Sequence, residues 1–426
     1  MSHYTPVNAP SKSCRLLNIR TLLLVVSALM FVFTISACTS MSSMTRSVSS
    51  VSFADYRSDS LKLLELERQQ FTNEADELQW NAPQEWQPAS SQPGTKPRKG
   101  VLLVHGLGDS PWSFHDLAPQ LASQGFLVRT ILLPGHGTHP EDLLDITAEQ
   151  WQEVVYEQAQ TLEQDVDGPV YLGGFSTGAN LVLDYAYGHP EIAGLILVSP
   201  GFKSFPFGWL APMLSHIRPW LVSPDGSVKN QTPVRYMNVP TNAYAQFYRT
   251  SALAQELLTQ PYNKPVFMVV AQHDSVIDTD YLLDVFQHSF THPQSRLIWY
   301  GTPPEGSHAD HRVLVKVDRI PAQRISQFSH MGLLFAPSNP LYGGDGSLRI
   351  CLNSLSSQDT QACEDGVQTW YSDWGYREDG KIHARLTFNP YFDWQTRIMA
   401  EVLDEQTSSR SSDSAFTSIP TNDSKP

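Results

Sequence analysis

The sequence has few cysteines and a deficit of positive charge. Only 4 of its 426 residues are cysteine, and 29 lysines and arginines face 43 aspartates and glutamates, a net charge of −14. The absence of a basic run argues against nucleic-acid binding, and the absence of zinc-type His/Cys spacing argues against a metal site. No internal repeat is visible. Hydrophobic residues make up 41% of the chain, which is enough to build the core of one large domain.

The hydrophobic run near the amino terminus is too short for an ordinary membrane span. Residues Thr21–Thr34 follow three basic residues and lead into Ile35–Cys38, with the sequence ISAC. A short apolar run that ends in small residues is typical of a secretory signal peptide. Small residues directly before a cysteine also resemble the lipobox of bacterial lipoproteins. This resemblance implies that residues 1–37 are removed and that Cys38 is lipidated, and Thr39 then indicates the outer membrane of the cell envelope. An ordinary signal peptide with a chance cysteine is the alternative.

The other cysteines agree with an oxidising compartment. Cys14 leaves with the signal peptide, and Cys351 and Cys363 then remain as an even pair beside the lipidated cysteine. In an oxidising compartment we expect such a pair to form a disulfide. The loop that this bond would close, Leu352–Ala362, is polar and shows no helical pattern.

The most informative motif is Gly-Phe-Ser-Thr-Gly at Gly174–Gly178. A short apolar run, Pro169–Gly173, precedes it, and a helical pattern, Ala179–Ala186, follows it. A serine on so tight a strand-to-helix turn needs small neighbours, because the strained backbone passes close to itself. The turn would present the hydroxyl of Ser176 as a nucleophile at the start of the helix. The alternative is an ordinary turn in which Ser176 caps the helix.

A second glycine-rich loop lies upstream, directly after the apolar run Val101–Val104. The run leads into a His-Gly-Leu-Gly sequence, in which glycine lets a backbone N–H approach an oxyanion closely. We assign the oxyanion hole to the N–H groups of Leu107 and Thr177. His105 precedes the nucleophile in the chain, and we expect it to orient this loop rather than to act as a base.

Apolar runs alternate with helical patterns through the middle of the chain. Continuous apolar runs are expected of parallel strands that are buried on both faces, and the alternation implies βαβ units. The predicted strands are residues 101–104, 127–133, 169–174, 194–199, 265–270 and 296–300.

These motifs together resemble the α/β-hydrolase superfamily. HGLGDSPWSF and LLPGHGTHPEDL, between Val101 and Leu143, combine with GGFSTGA to resemble the branch of monoacylglycerol lipases, carboxylesterases and serine-aminopeptidase-like hydrolases. The resemblance covers roughly residues 98–342. It implies an α/β-hydrolase fold, with a mostly parallel sheet flanked by helices and an inserted cap at about residues 201–262. The cap is rich in aromatic residues, and we expect most to form its core and a few to line an acyl pocket over Ser176.

The resemblance also implies a serine, an acid and a histidine in that chain order. Asp274 follows the apolar run Pro265–Val270 and matches the acid of the family, which holds the histidine tautomer and stabilises its charged form. Asp278, four residues later, is expected to cap the helix that starts near Thr279.

The histidine has more than one candidate after Arg296–Tyr300, the last core strand that we predict. Ordinary spacing favours His308, but its surroundings are those of an exposed polar loop, and His311 is expected on the surface. His330 ends an apolar-alternating run whose surroundings resemble a bacterial subgroup of hydrolases. In that subgroup an inserted excursion separates the last strand from the catalytic histidine. We therefore predict His330 as the base, with His308 as the alternative.

Segments of different composition flank the hydrolase core. We predict a flexible tether before the core, a short helix at its start, a carboxyl-terminal extension that holds the cysteine pair and a final helix, and a disordered tail. The predicted segments are the tether 38–57, the hydrolase domain 58–342 with its first helix at 58–70, the extension 343–404 with its last helix at about 394–403, and the tail 405–426.

The sequence therefore predicts a lipid-anchored serine hydrolase that cleaves carboxylic esters through an acyl-enzyme at Ser176. The substrate would be a small-molecule ester or a lipid, and no metal or organic cofactor is implied. An aminopeptidase or amidase with the same triad is the nearest alternative, but the predicted cap offers only Asp225 before Glu256 to bind a substrate amine. A non-catalytic surface lipoprotein is a second alternative, and the complete set of triad candidates argues against it.

Overall fold

The structure is a computed structural model, and it describes most of the chain between residues 51 and 404. The predicted signal peptide, Cys38, the tail 405–426, Asp225 and the alternative base His308 lie outside the described residues. The described residues are 51–68, 74–89, 94–204, 206–224, 230–305 and 310–404.

Strands in the described part of the chain form one large sheet and two small ones. The strands are β1 (Gln84–Trp86), β2 (Gly100–Val104), β3 (Leu127–Ile131), β4 (Val170–Phe175), β5 (Gly194–Val198), β6 (Gln231–Thr232), β7 (Arg235–Tyr236), β8 (Val266–Ala271), β9 (Arg296–Tyr300), β10 (Val313–Lys316), β11 (Trp370–Ser372) and β12 (His383–Arg385). The large sheet has the order β1-β3-β2-β4-β5-β8-β9-β10. Its neighbouring strands are parallel, except that β1 pairs antiparallel with β3. The predicted α/β fold with a mostly parallel sheet is therefore confirmed.

Helices cover both faces of this sheet. The helices are α1 (Phe53–Glu67), α2 (Glu74–Asn81), α3 (Leu117–Ser123), α4 (Ala148–Asp165), α5 (Thr177–Gly188), α6 (Ala211–Ser215), α7 (Thr241–Leu257), α8 (Thr279–His288), α9 (Ser357–Glu364) and α10 (Phe392–Leu403), with short 3-10 turns at Pro111–Phe114, Pro140–Leu143, Gly208–Leu210 and Pro321–Gln323. None of the helices in this described portion is long and apolar enough to cross a membrane.

The apolar side chains of β2 show why its sequence is hydrophobic without interruption. Leu102 and Val104 pack into the core that contains α4 and α5, whereas Val101 and Leu103 pack into the core that contains α3 and α10. Successive residues of a strand point to opposite faces, so a strand that is covered on both faces needs apolar residues at every position.

The sheet does not end at Arg296–Tyr300, and the prediction that this is the last core strand is wrong. Strand β10 follows it and pairs with it in parallel, with Val313 opposite Leu297 and Lys316 opposite Tyr300. Three of the four residues of β10 are only half-buried, and the strand ends in lysine. This edge strand has only three apolar residues before its lysine, a shorter run than those by which the central strands were recognised.

The amino-terminal part of the described chain is more helical than predicted. Helix α1 begins at Phe53, so residues 53–57 belong to a helix and not to the predicted flexible tether. Ser52 caps this helix by accepting a hydrogen bond from the N–H of Asp55 at 3.2 Å. Phe53 is buried and packs under the guanidinium of Arg129, 4.6 Å from the ring centre, which attaches the helix to the sheet.

The segment between β5 and β8 holds the 3-10 turn at Gly208–Leu210, α6, the short hairpin β6–β7 and α7. Its aromatic residues divide into two groups. Phe202 is fully buried, whereas Phe207 and Trp209 are 70% and 60% exposed. Tyr236 and Phe247 are buried as well, so the expectation that most of the aromatic residues pack holds except at Phe207 and Trp209.

Residues 343–404 pack on the same face of the sheet as α3. Strands β11 and β12 pair in parallel, and α10 packs beside α3. The predicted disulfide is present, and it joins Cys351 to Cys363 with their Cα atoms 5.7 Å apart. The prediction that the intervening loop has no helix is wrong, because α9 begins at Ser357. Ser356 caps α9 by accepting from the N–H of Asp359 at 3.1 Å, which is a polar signal that hydrophobic periodicity does not detect.

Candidate active site

Ser176 lies on a strained turn between β4 and α5. Its φ of 53° falls in a region that residues other than glycine rarely adopt. A Cβ atom at Gly174 would lie 2.4 Å from the backbone nitrogen of Ala179, and one at Gly178 would lie 2.0 Å from the carbonyl oxygen of Val104. The turn therefore requires glycine at both positions, which is the physical reason for the motif.

The turn is held by its backbone and leaves the serine hydroxyl unused as a cap. The N–H of Ser176 donates to the carbonyl of Val198 at 3.1 Å, and its own carbonyl accepts from the N–H of Gly201 at 3.1 Å. Although Ser176 occupies the N-cap position of α5, its side chain makes no capping hydrogen bond. The interpretation of Ser176 as an ordinary helix cap therefore does not hold.

Helix α5 is locked to α7 immediately behind the serine. The side-chain amide of Asn180 donates to the carbonyl of Gly201 at 3.0 Å and to the hydroxyl of Thr250 at 3.0 Å. The hydroxyl of Ser251 donates to the same carbonyl at 2.6 Å. These buried bonds connect the backbone segment that anchors Ser176 to the helix that stands over it, and buried networks of this kind limit local motion.

The loop after β2 is oriented by a buried histidine. The Nε2 atom of His105 accepts from the N–H of Leu133 at 3.1 Å, so the proton lies on Nδ1, which donates to the carbonyl of Gly106 at 2.8 Å. Burial, with a smaller contribution from His136, holds the pKa of His105 well below its usual value, so the ring is neutral. His105 thus contacts the backbone of the loop, as we expected from its position in the chain.

Asp274 and His330 are brought together by the fold, although 56 residues separate them. The Nδ1 atom of His330 donates to Oδ2 of Asp274 over 2.6 Å, and the Asp274 side chain is fully buried. The other carboxylate oxygen, Oδ1, accepts from the N–H of Val276 at 2.9 Å. With its Nδ1 committed in this way, the imidazole of His330 keeps Nε2 as its free acceptor.

His330 is held against the serine turn from two sides. Its carbonyl accepts from the hydroxyl of Ser199 at 3.1 Å, and its ring packs on that of Phe175 with the centroids 4.9 Å apart.

The other candidate acid, Asp278, caps α8 as predicted, because it accepts from the N–H of Tyr281 at 3.0 Å. His311 is exposed.

The predicted nucleophile, base and oxyanion residues line one cavity, which we call the Ser176 cavity. It has a volume of about 210 Å³ and is lined by Ser176 and His330 together with Leu107 and Thr177. Thr177 is the first residue of α5, and the first N–H groups of a helix have no acceptor within it. Apolar and aromatic residues supply much of the remaining wall: Phe175, Tyr236, Met237, Val239, Tyr244, Phe247 and Val276.

Three charged residues that the sequence did not single out also line the Ser176 cavity. They are Asp109, which follows the oxyanion loop, Arg235 of β7 and Arg385 of β12. Arg235 donates to Asp109 at 2.5 Å. The aspartate in HGLGD could have been noticed from its place in the motif, but the two arginines stand in unremarkable surroundings and are brought to the cavity only by the fold.

Burial changes the acidity of the charged groups around this cavity. It raises the pKa of Asp109, although Arg235 and His330 oppose the change. It also raises the pKa of Asp373, which precedes the exposed Trp374, to about 6, and the negative charge of Asp274 adds to that effect. Burial lowers the pKa of Arg385 to about 10, with the carboxylates of Asp373 and Asp274 acting in the opposite direction. Removal of charge from water is thus the largest effect at each of these groups.

The chain matches a known family through its core. Residues 95–302 match the sequence model of the family described as serine aminopeptidase, S33. The thermostable monoacylglycerol lipase of Bacillus sp. (strain H-257) is 32% identical over 185 residues, which cover 42% of this chain and 71% of that protein. Ser176 and Asp274 fall within the matched residues 95–302, whereas His330 and Arg385 follow them.

Solved structures of similar proteins cover about half of the chain. The monoacylglycerol lipase of Paleococcus ferrophilus is 19% identical, with a TM-score of 0.40, and covers 51% of this chain and 87% of its own. A soluble variant of the monoglyceride lipase from Saccharomyces cerevisiae is 18% identical, with a TM-score of 0.40, and covers 51% of this chain and 81% of its own.

Proposed function

The chain belongs to the α/β-hydrolase family that includes the Bacillus monoacylglycerol lipase, and from that premise we propose that it cleaves carboxylic esters with Ser176 as the nucleophile. The observation that carries the proposal is the 2.6 Å hydrogen bond from His330 to Asp274 beside a cavity that Ser176 also lines. A histidine that is oriented by a buried carboxylate and lines the same cavity as a serine on a strained turn is suited to acyl transfer.

In the proposed mechanism, Ser176 attacks the ester carbonyl and His330 takes the serine proton on Nε2. Asp274 holds the Nδ1 proton and stabilises the imidazolium that forms. The N–H groups of Leu107 and Thr177 stabilise the oxyanion, each by about 3 kcal/mol in the transition state. His330 then passes its proton to the leaving alcohol, and a water molecule that His330 activates hydrolyses the acyl-enzyme.

The size and lining of the Ser176 cavity support a substrate that is either a small ester or a lipid of which only a short part enters the cavity. Its volume of about 210 Å³ is below the range of roughly 300–1,000 Å³ that is common for small-molecule sites. Aromatic and aliphatic residues from the segment between β5 and β8 line it, and they favour an apolar acyl or alcohol group.

An aminopeptidase is the second candidate, and the acid in the cavity is the observation that favours it. Asp109 is the kind of residue that could bind a substrate ammonium group. However, Asp109 already forms an ion pair with Arg235, and Arg385 adds a further positive charge to the same wall. An ammonium group would meet two guanidinium groups there, so we rank amide substrates below esters.

We also propose that the protein is anchored to the bacterial outer membrane through Cys38. An exposed apolar surface on the segment before β6 supports action on a lipid substrate, because exposed apolar patches mark contact surfaces. Large hydrophobic side chains that are at least 40% exposed concentrate there: Phe207, Trp209, Met213, Ile217, Leu221 and Val222.

The lipid anchor at Cys38 is tested by labelling. Radiolabelled palmitate should be incorporated into the wild-type protein in a bacterial host and not into Cys38→Ala. Equal labelling of both would reject the lipid anchor.

The enzymatic proposal is tested with the mature protein in detergent. Wild type should hydrolyse p-nitrophenyl butyrate and react with a fluorophosphonate probe, whereas Ser176→Ala should do neither. Ser123→Ala, at an exposed position at the end of α3, is the matched control and should behave as wild type. Cleavage of L-alanine p-nitroanilide in place of the ester would favour the aminopeptidase, and no Ser176-dependent reaction at all would favour a non-catalytic lipoprotein.

A further inference from the structure

Arg385 reaches the Ser176 cavity from the carboxyl-terminal extension. It is the last residue of β12, and its N–H donates to the carbonyl of Ile350 at 2.9 Å, next to the disulfide of Cys351. The following residue, Leu386, donates to the carbonyl of Ser372 in β11 at 2.9 Å. The backbone of Arg385 is therefore fixed between the disulfide-closed loop and β11, and its side chain forms part of the wall of the cavity.

The guanidinium of Arg385 is only weakly satisfied by its protein neighbours. It donates to the side chain of Asn353 at 3.3 Å and to the carbonyl of Leu352 at 3.4 Å, and it lies 5.0 Å from the ring centre of Trp374. Both hydrogen bonds are longer than the usual 2.7–3.2 Å of protein N–H···O contacts. Within the described portion of the chain, no carboxylate lies within 4.0 Å of it.

The carboxylates around the Ser176 cavity do not form a close ion pair with Arg385. Asp109 pairs with Arg235 at 2.5 Å, and Asp274 pairs with His330 at 2.6 Å. Asp373 acts on Arg385 through its charge, but in the described part of the chain it forms no ion pair with the guanidinium within 4.0 Å. Arg385 is therefore a charged group at a catalytic cavity whose own fork of donors has no close anion, and such a fork binds carboxylate or phosphate in bidentate geometry.

We propose that Arg385 is a specificity-determining residue that binds an anionic group, a carboxylate or a phosphate, on the ester substrate. The carboxyl-terminal extension then has a function beyond packing, because it supplies this cation to the wall of a cavity whose other residues come mainly from the hydrolase core. The inference rests on the proposed ester hydrolysis, since it concerns the substrate of the same site. Either end of the ester could carry the charge, and the two cases differ in which substrate pair responds.

The experiment compares matched neutral and anionic esters on the mature wild-type protein. One pair places a carboxylate on the acyl side, with p-nitrophenyl pentanoate against mono-p-nitrophenyl glutarate. The other pair places a phosphate on the alcohol side, with 1-butyrylglycerol against 1-butyrylglycerol 3-phosphate. We expect kcat/KM to be at least about tenfold higher for the anionic member of one pair, as is usual for charge-assisted bonds. Equal values, or a preference for the neutral member in both pairs, would overturn the proposal.

The variants separate a binding role from a structural one. R385Q should lower kcat/KM for the preferred anionic ester about 10- to 100-fold more than for its neutral partner, mainly through KM. R385K keeps the charge but not the planar fork, so its kcat/KM for the anionic ester should lie between those of wild type and R385Q. R349Q, at an exposed arginine of the same extension, is the matched control and should equal wild type. Equal losses on both members of each pair would assign Arg385 a structural role only.

Two further outcomes keep this proposal distinct from the proposed function. If no ester of the four is cleaved in a Ser176-dependent reaction, the proposed function itself fails. If the esters are cleaved but R385Q does not fold, inhibition of neutral-ester hydrolysis by free glutarate or inorganic phosphate decides the question in wild type. Competitive inhibition by either anion supports the cationic subsite, and its absence for both rejects it.

Discussion

The two walls of the Ser176 cavity are built in different ways. The nucleophile wall is made of turns that follow β2 and β4, and its geometry depends on glycines whose neighbours lie within a few ångströms of where a Cβ would stand. The remaining part, which we call the second wall, carries His330 and Arg385, which follow the residues that match the known family and are positioned by contacts between distant segments. The comparison teaches that backbone stereochemistry sets the first wall and tertiary packing sets the second.

The largest effect should come from the base of the second wall. His330→Ala removes the proposed proton acceptor, so kcat should fall about 10⁶-fold in ester hydrolysis, as for a base within a catalytic triad. Steady-state and single-turnover kinetics measure this loss. His308→Ala and the exposed His311→Ala are the controls and should retain most activity. A loss with His308→Ala and not with His330→Ala would move the base out of the second wall.

A smaller loss of activity should come from replacing Asp274, the acid that binds His330 of the second wall. Asp274→Asn preserves the shape of the side chain but favours the wrong tautomer of His330, so kcat should fall about 10⁴-fold. Asp278→Asn is the control, because Asp278 caps α8 and pairs with Lys203 at the surface. If both variants lose activity equally, the 2.6 Å bond between Asp274 and His330 is not the catalytic one.

Removal of the disulfide tests whether the second wall depends on the carboxyl-terminal extension. Replacing both Cys351 and Cys363 with serine should lower the free energy of unfolding by about 3 kcal/mol, because a short closed loop no longer restricts the unfolded chain. Denaturant unfolding measures this loss. The preference for anionic esters should fall as well, since Leu352 and Asn353 hold the guanidinium of Arg385. Unchanged preference in a folded variant would separate the disulfide from the cavity.

An effect similar in size to that of the disulfide concerns Asp373, a buried acid whose charge acts on Arg385 of the second wall and whose pKa is raised to about 6. The folded state holds its proton more tightly than the unfolded state, so stability should decrease as the pH rises from about 4 to about 6. The shift from 3.8 to about 6 corresponds to about 3 kcal/mol. Asp373→Asn should therefore raise the melting temperature at pH 8 and change it little at pH 4.

Thermal unfolding across this pH range checks the prediction for Asp373. Asp379→Asn, at an exposed position of the same extension, is the control and should follow the wild-type curve. Stabilisation of Asp373→Asn at pH 4 as large as at pH 8 would show that the charge of Asp373 is not the cause.

Elements with a strong local signal were predictable from the sequence. The central strands β2, β4, β5 and β8 lie within a residue of their predicted bounds, because strands buried on both faces need uninterrupted apolar runs. Elements with a weak local signal were missed or misplaced. Strand β10 is half-buried at the sheet edge, α1 begins at a serine cap before its apolar pattern, and α9 has few buried residues. Strand β10 depends on its pairing with β9, and the two helices begin at serine caps, which a search for apolar periodicity does not detect.

By itself the sequence determined the α/β fold and the turn that carries Ser176. Both follow from short-range rules, since only glycine fits beside Ser176 at positions 174 and 178, and only apolar residues fit a strand between two layers of helices. Only the tertiary structure decided that His330 meets Asp274, and that Arg235 and Arg385 reach the same cavity. Asp274 and His330 are 56 residues apart in the chain, and the distance between them depends on how whole layers pack.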